Sequence, residues 1–206
     1  MSVKLIPLNF GGYELPEFKE SKKGDWYEYG TERPYKNIYP DYLTKLYNES
    51  SKHNQIINSK VKFITGQGFV IDEKLTFTEK AYVNGFLRMP NEDESLDDLV
   101  GKLAKDKKVY GGFCLQVRMS KNNNIAAINH IDFADIRVGV DNDLFYYTED
   151  WSARNPKNNE DFKILQQFPY DDSASPEVDY VIYYKEYRPD VGAYPLPDYV
   201  SAIPYL

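Results

Sequence analysis

Few side chains in this sequence have the type and spacing that catalysis or metal binding requires. The two histidines, His53 and His130, lie on different predicted elements, and neither has a cysteine or another histidine at metal-ligand spacing. Cys114 stands inside an alternating stretch, where a lone cysteine usually packs as a small hydrophobe. A nucleophile would also need a nearby base and a group to orient that base, and no sequence feature supplies either. Structural roles are therefore expected for all three residues.

The glycine pairs and acidic clusters give equally weak signals. Gly66-x-Gly68 and Gly111-Gly112 do not match a phosphate-binding loop, so we expect a helix end at the first pair and a bulge or close backbone approach at the second. Asp141-Asn142-Asp143 and Asp171-Asp172 carry oxygen ligands for a hard cation, but neither fits the twelve-residue calcium loop. The acidic run at 92–98 is interpreted as a solvated helix cap. The sequence thus predicts no catalytic residue, no cofactor and no metal.

Length and composition bound the class of protein. The chain has 206 residues, enough for one sizeable domain, and its hydrophobic content of 42% is typical of globular proteins. The net charge of −7 and the scattered lysines and arginines argue against tight binding of nucleic acid, because phosphate contacts need clustered cations. No apolar run approaches the ~20 residues of a membrane helix. The first residues lack the features of a signal peptide.

Cysteine and tyrosine usage adds two further points. A single cysteine gives no disulfide framework, which makes a reducing intracellular setting the default. The 19 tyrosines stand against only 2 tryptophans, and tyrosine is enriched at interfaces because its ring is apolar and its tip polar. A protein interface, a glycan-binding face and a β-rich domain with half-buried aromatic strands would each account for this excess.

The residue pattern predicts two parts. Residues 1–34 are expected to form an extended N-terminal arm, since they are rich in glycine, proline and charge without a sustained period. Residues 35–206 are expected to form one α+β domain with helices packed on a mostly antiparallel sheet of hairpins. Helices are predicted from Pro40 to about Ile64, over 78–89, after the N-cap Ser95 and after Leu196-Pro197-Asp198. Strands are predicted at 69–71, 109–120, 125–131, 136–140, 144–148, 162–168 and 178–187.

Four segments resemble the portal proteins of tailed phages, in the order in which that family has them. The residues at 46–69 (LYNESSKHNQIINSKVKFITGQGF) resemble its helix with a "KV.FI.G.GF" ending. The block at 86–119 has the family's Pro-Asn turn, capped helix, Tyr-Gly break and alternating strand. The segment at 125–139 resembles its "l..I.P..VRV" strand, although Asp132-Phe133 stands where the family usually has proline. The segment at 194–203 (YPLPDYVSAI) is similar to portals of phages that infect Bacteroides-type bacteria.

The resemblance covers most of residues 42–206 and implies the wing region of a portal protein. Such a protein is a structural homo-oligomer of the virion, usually a dodecameric ring at one capsid vertex, and is made in the host cytoplasm. Double-stranded DNA passes through its channel without sequence-specific binding during packaging and ejection. The implied protein partners are the terminase motor, the capsid and the tail connector, and no membrane is involved. The family's stem and clip would lie beyond Leu206, so we expect the chain to be truncated before them.

The portal interpretation assigns no enzymatic activity to the chain. Within the predicted arm, Trp26, Tyr27 and Tyr29 are possible subunit-contact anchors, and the alternative is that they cover the chain's own core. Two other classes of function remain open. A glycan-binding β-rich domain would suit the tyrosine content, and a carboxylate-based hydrolase would use some of the many acidic residues.

Overall fold

A computed structural model describes residues 18–30, 35–141, 143–151, 162–169, 173–189 and 192–205. The α+β fold predicted from the sequence is confirmed. The four α-helices of the described residues are α1 (Tyr39–Glu49), α2 (Ser51–Thr65), α3 (Phe77–Arg88) and α4 (Leu96–Val109). The strands are β1 (Glu20–Lys23), β2 (Trp26–Tyr29), β3 (Gly112–Met119), β4 (Ile125–Ile131), β5 (Ile136–Val138), β6 (Leu144–Tyr147), β7 (Lys163–Gln167) and β8 (Tyr180–Lys185).

Six of these strands form one mixed sheet in the order β4-β3-β8-β7-β6-β5. All neighbouring pairs are antiparallel except β7 and β8, which run parallel. The predicted hairpins β3–β4 and β5–β6 are both present. In the turn between β3 and β4, Asn123 has a φ of 58°, a conformation that asparagine tolerates better than most residues. The sheet is therefore mostly antiparallel, as the alternating patterns predict.

Part of the segment predicted as an extended arm forms a second, two-stranded sheet. β1 and β2 pair antiparallel around a turn at Gly24, whose φ is 62°. A bridge between Trp26 and Gly139 joins this hairpin to the end of β5. The aromatic residues of Trp-Tyr-Glu-Tyr explain the difference, because β2 buries Trp26 on one face against Tyr146 and Tyr29 on the other face against Tyr194. The arm residues 1–17 and 31–34 lie outside the described residues.

The long helix predicted from Pro40 to Ile64 is divided in two. Ser50 is extended, with φ −94° and ψ 105°, and its side chain accepts a hydrogen bond from the backbone N–H of His53 at 3.4 Å. Serine favours this N-cap position over a helix interior, so α2 begins anew at Ser51. The prediction of a strand at 69–71 is wrong, since these residues form no strand pairing with the rest of the described chain. The helix expected after Asp198 is a short 3₁₀ helix, Val200–Tyr205.

The two other helices begin where the sequence predicts. Ser95 caps α4, and Thr76 caps α3, each in a complete capping box in which the third helical residue bonds back to the cap. Helix α4 packs on β3 and β4 and also against α2. Leu99 is its most deeply buried residue, whereas the neighbouring Val100 is only half-buried. Helix α4 thus lies between the sheet and α2.

The main core lies between the sheet, the N-terminal hairpin and α1, and it is rich in aromatic rings. Tyr29 is fully buried, and its ring stacks on that of Tyr194 with centroids 4.0 Å apart. The Tyr29 hydroxyl donates a hydrogen bond to the carbonyl of Pro195 at 3.0 Å. Aromatic packing therefore accounts for much of the tyrosine excess. The buried tyrosines are Tyr29, Tyr39, Tyr42, Tyr110, Tyr146, Tyr180 and Tyr194.

Candidate functional site

His130, on β4, forms a close pair with a carboxylate of α4. Its Nε2 lies 2.7 Å from Oδ2 of Asp106, which projects from α4 onto β4. Burial raises the pKa of Asp106 to about 6, although the hydrogen bond to His130 acts in the opposite direction. Burial alone would lower the pKa of His130, but the hydrogen bond and charge of Asp106 outweigh it and leave this pKa raised. The pair ties α4 to the sheet.

Cys114 and His53 both lie in environments that make them unreactive. Cys114 is fully buried in β3, and burial raises the pKa of its thiol well above the ordinary value, so the thiolate is suppressed. His53 is buried in α2 with its ring edge-on to Tyr199 at 4.1 Å. Burial, aided by the charge of Lys60, lowers the pKa of His53 and favours the neutral imidazole. In the described part of the chain, no three ligating side chains are grouped to hold a metal ion.

The glycine pairs have the conformations expected of them. Gly66 and Gly68 both have positive φ, and Gly66 ends α2. A Cβ added to Gly111 would lie 2.7 Å from the carbonyl oxygen of Leu196, and one at Gly112 would lie 2.5 Å from that of Tyr184. The predicted close approach of backbone at this second pair is therefore confirmed.

The acidic residues at 92–98 have structural roles at the start of α4. Asp98 serves the capping box of α4, and hydrogen bonding from Ser95 lowers its pKa. Glu94 forms an ion pair with Lys102, in which Oε2 and Nζ are 2.6 Å apart. Asn142, Asp171 and Asp172 lie outside the described residues.

A buried arginine, which the sequence did not single out, joins the hairpin region to the main sheet. Arg137 is fully buried, and its Nε donates to Oδ1 of Asn37 at 2.9 Å. Its Nη1 donates to the carbonyls of Ala134 and Ile136, each at 2.7 Å, and its Nη2 donates to the carbonyl of Asn37. The guanidinium also lies 4.6 Å from the ring centroid of Trp151. Four hydrogen bonds thus compensate for the burial of this charge.

The three candidate anchors lie against the chain's own core. Trp26 and Tyr29 are buried, and Tyr27 is half-buried. Trp26 packs at 5.6 Å from the ring of Tyr146, and Tyr29 contributes to the core described above. The alternative in which they cover the core therefore describes their position in this chain. A contact with another subunit through these residues stays a prediction.

The most unusual surface of the protein is formed by α2, α3 and the loop between them. Thirteen large hydrophobic side chains are exposed among the described residues, and nine of them fall within 56–89. No residue of α3 is buried. A monomeric protein seldom exposes so many neighbouring apolar side chains without a partner. The nine are Ile56, Phe63, Ile64, Phe69, Val70, Phe77, Tyr82, Phe86 and Met89.

One half of this surface, here called the α2 face, adjoins a groove between α2 and α4. It consists of Ile56, Phe63 and Ile64, which are spaced at helical intervals along one side of α2. Phe63 is 87% exposed. The adjoining groove has a volume of about 590 Å³, and its walls include Val100, Leu103, Phe113, Lys60, Lys107 and Lys108.

The other half, here called the α3 face, is an apolar stripe on α3. It consists of Tyr82 and Phe86, which lie one turn apart on one side of α3, and of Met89, the residue that ends the helix. Tyr82 and Phe86 also line a cleft of about 720 Å³ whose opposite wall includes Met119 and Phe168. The sequence pattern predicts a helix here, but only the structure shows that Tyr82 and Met89 remain mostly exposed among the described residues.

Comparison with known proteins leaves the function open. No protein-family model matches the chain, and no curated protein is similar to it. Within the described residues, none of the helices has the length and apolar character needed to cross a bilayer.

Proposed function

We propose that the chain is a structural, non-enzymatic subunit of a ring, the portal of a tailed phage, through which DNA passes at the capsid vertex. The four sequence segments that resemble the portal wing supply the choice of family. Its predicted partners remain those of that family: further copies of itself, terminase, capsid and tail-connector proteins, and DNA in transit. Its proposed location is the virion.

The observation that carries this proposal is the exposed apolar surface of α2 and α3. Phe77 is 90% exposed and Tyr82 is 81% exposed, although both belong to a helix with a complete capping box. An isolated helix of 12 residues has little stability of its own in water, and most helices in proteins depend on packing of an apolar face. In a protein that works as one subunit of an assembly, the neighbouring subunit supplies that packing.

The alternatives lose the features that suggested them. Seven tyrosines are buried, so the tyrosine content no longer indicates a glycan-binding face by itself. A carboxylate-based hydrolase needs two carboxylates that face each other across a cleft. Asp106 instead pairs with His130, and this pair links α4 to the sheet. Assembly therefore has the stronger support.

The test is the absolute mass of the chain in solution, measured by light scattering after size exclusion, with negative-stain images of any large species. We expect a concentration-dependent assembly whose largest closed form is a ring. Double-stranded DNA should bind with only non-specific, salt-sensitive affinity, as an acidic protein that lets DNA pass would show.

Two results would contradict the proposal in different ways. Open filaments or small closed dimers would show self-association without the ring that a portal requires. A glycan array in which micromolar binding is lost on Tyr187→Ala, an exposed tyrosine outside the α2 and α3 faces, would favour the glycan-binding alternative.

A further inference from the structure

We infer that the α3 face of one copy packs against the α2 face of the next copy, in a head-to-tail contact between two different surfaces of the same protein. The inference rests on the proposed function for one point, that the partner is a second copy. It adds the surfaces, their polarity and the symmetry that follows from them.

The first step is that α3 needs a partner. Tyr82 and Phe86 have the one-turn spacing of helices that dock into apolar grooves, and Met89 extends their surface at the helix end. None of the twelve residues of α3 is buried, so the contacts with α4 through half-buried residues such as Val83 and Leu87 leave its other side uncovered. The loop before it adds Phe69 and Val70, and Val70 is 92% exposed.

The second step is that the α2 face offers an apolar surface with a groove. Phe63 and Ile64 form one wall of the groove between α2 and α4, and Leu103 and Phe113 contribute apolar surface to it. A helix side that presents large apolar side chains one turn apart suits a groove between two helices.

The charges of α2 and of the segment that leads into α3 are opposite in sign. Helix α2 contains Lys52, Lys60 and Lys62 and no acidic residue, and all three lysines are exposed. The exposed segment 72–79, which leads into α3, contains three acidic residues and one lysine, whereas Lys80 and Arg88 are the charged residues of the rest of α3. Charge therefore favours contact between the α2 lysines and the acidic N-terminal end of α3, and disfavours contact of α2 with itself.

The groove rim itself carries less free charge than its sequence suggests. Lys108 is paired with Asp198 at 3.2 Å, and Lys107 lies 3.9 Å from Glu186. The complementarity therefore depends mainly on the lysines of α2. Of the three lysines that line the groove, Lys60 is the one that belongs to α2.

The fourth step is distance. The groove beside the α2 face includes Phe113, at the start of β3, whereas the cleft beside the α3 face includes Met119, at the end of that strand. Six residues of strand span about 20 Å, so one copy cannot join its own two faces. Contact between different surfaces on successive copies produces a closed ring if the rotation closes and a filament if it does not.

Two paired variants test this geometry in the full chain. Phe63→Gln with Ile64→Gln removes the α2 face, and Tyr82→Gln with Met89→Gln removes the α3 face. All four side chains are exposed, so the substitutions leave the chain's own core intact. Tyr187→Gln is the matched control, because Tyr187 is 86% exposed and lies outside both faces.

The inference predicts that each paired variant alone is monomeric, with self-association weakened roughly 30-fold or more. An equimolar mixture of the two should give a 1:1 dimer and nothing larger, because each partner keeps one intact face. The control should assemble like the natural chain. Sedimentation velocity with one variant fluorescently labelled measures all three.

Several outcomes would overturn the head-to-tail contact. If the variant lacking the α3 face dimerises alone, the α2 face pairs with itself. If both variants still assemble, other surfaces hold the copies together, and the proposed ring is unaffected. A natural chain that stays monomeric at the highest attainable concentration contradicts pairing between copies. If the α2 face instead binds a fluorescent DNA duplex, and Lys60→Gln with Lys62→Gln abolishes that binding, its occupant is nucleic acid.

The failures of the two proposals are separable. A 1:1 dimer from the mixture, together with open filaments from the natural chain, would support the paired faces and reject the portal ring. Closed rings from the natural chain and from both variants would have the opposite meaning.

Discussion

Tyr29 and Tyr82 illustrate the difference between the N-terminal hairpin and the α2–α3 segment. Tyr29 is fully buried, with its ring stacked on Tyr194 and its hydroxyl bonded to Pro195, whereas Tyr82 is 81% exposed on a helix without a buried residue. Both segments are rich in aromatic residues. The hairpin completes a core within one chain. The α2–α3 segment has the amphipathic pattern of a core-forming element, but no second layer covers its apolar side among the described residues.

This difference changes what a substitution should do in each region. In the hairpin region, removing a buried group leaves its partners unsatisfied, so the free energy of unfolding of the single chain should fall. In the α2–α3 segment, the same chemical change should leave the single chain nearly unaffected and act on assembly.

Arg137→Ala should have the largest effect, lowering the free energy of unfolding by about 3–5 kcal/mol. The guanidinium holds the carbonyls of Asn37, Ala134 and Ile136, and its loss leaves these buried acceptors without a donor. Urea denaturation monitored by tryptophan fluorescence measures the change. The control is Arg118→Ala, at an exposed position of β3, which should change stability by no more than about 0.5 kcal/mol. Equal effects at the two positions would contradict the role assigned to Arg137.

Tyr194→Phe should lower the free energy of unfolding by about 1–2 kcal/mol. The buried Tyr194 hydroxyl accepts a hydrogen bond from the backbone N–H of Val138 at 3.1 Å and donates one to the carbonyl of Tyr27. The substitution keeps the ring and its stacking on Tyr29, so it isolates the cost of these two unsatisfied backbone groups. Tyr187→Phe, at an exposed position, is the matched control and should be neutral. A neutral Tyr194→Phe would mean that water replaces the lost hydroxyl.

Other elements of the fold show where sequence reasoning succeeds and where it stops. The strands predicted at 109–120 and 125–131 and the N-cap at Ser95 follow from local patterns, because period and cap chemistry act over a few residues. The burial of Arg137 depends on Asn37, one hundred residues earlier, which no local pattern encodes. Ser50 was missed for a different reason: the helical period continues across it, and only the cap chemistry marks the break.

The candidate surface was only half visible in the sequence. The apolar positions of α3 predict a helix, but the same pattern would arise if its stripe packed against the sheet. Exposure of Tyr82 and Met89 is a tertiary property, since it depends on which elements fail to cover them. For Trp26 and Tyr29 the reverse applies: aromatic residues in an apparent arm suggested an external contact, and the hairpin places them inside.

The pair of Asp106 and His130 should make stability depend on pH. The folded-state pKa of His130 is raised above its unfolded value of about 6.5, so its stabilisation is complete below that pH and is lost as the pH rises through the folded value. The pKa of Asp106 is raised to about 6, so this group also favours the folded state more at acid pH than at neutral pH. Between pH 5 and pH 8 the natural chain should therefore lose stability relative to the double variant Asp106→Asn with His130→Gln.

The size of this relative loss should be about 1 kcal/mol, because the range begins only about one pH unit below the pKa of about 6 that burial gives Asp106. Urea denaturation of both proteins across the pH range gives the difference, which removes the contribution of other carboxyls such as Asp135. A natural chain that gains stability over the double variant as the pH rises would contradict the assigned directions of the pKa shifts.

Phe77→Ser should have the smallest effect on the single chain, with a change in unfolding free energy of at most about 0.5 kcal/mol. Phe77 is 90% exposed at the start of α3, so the substitution removes few contacts within the chain, and Thr76 and Glu79 keep the capping box. Phe133→Ser is the contrasting variant, since Phe133 is buried in the main core and its loss should be severe.

Hydrogen exchange measures the stability of α3 directly. In the monomeric chain the amides of α3 should exchange faster than those of α4, because α3 has no buried residue to prevent local opening. On assembly the α3 amides should become protected, and α3 amides that are already as protected as those of α4 in the monomer would mean that the helix needs no partner.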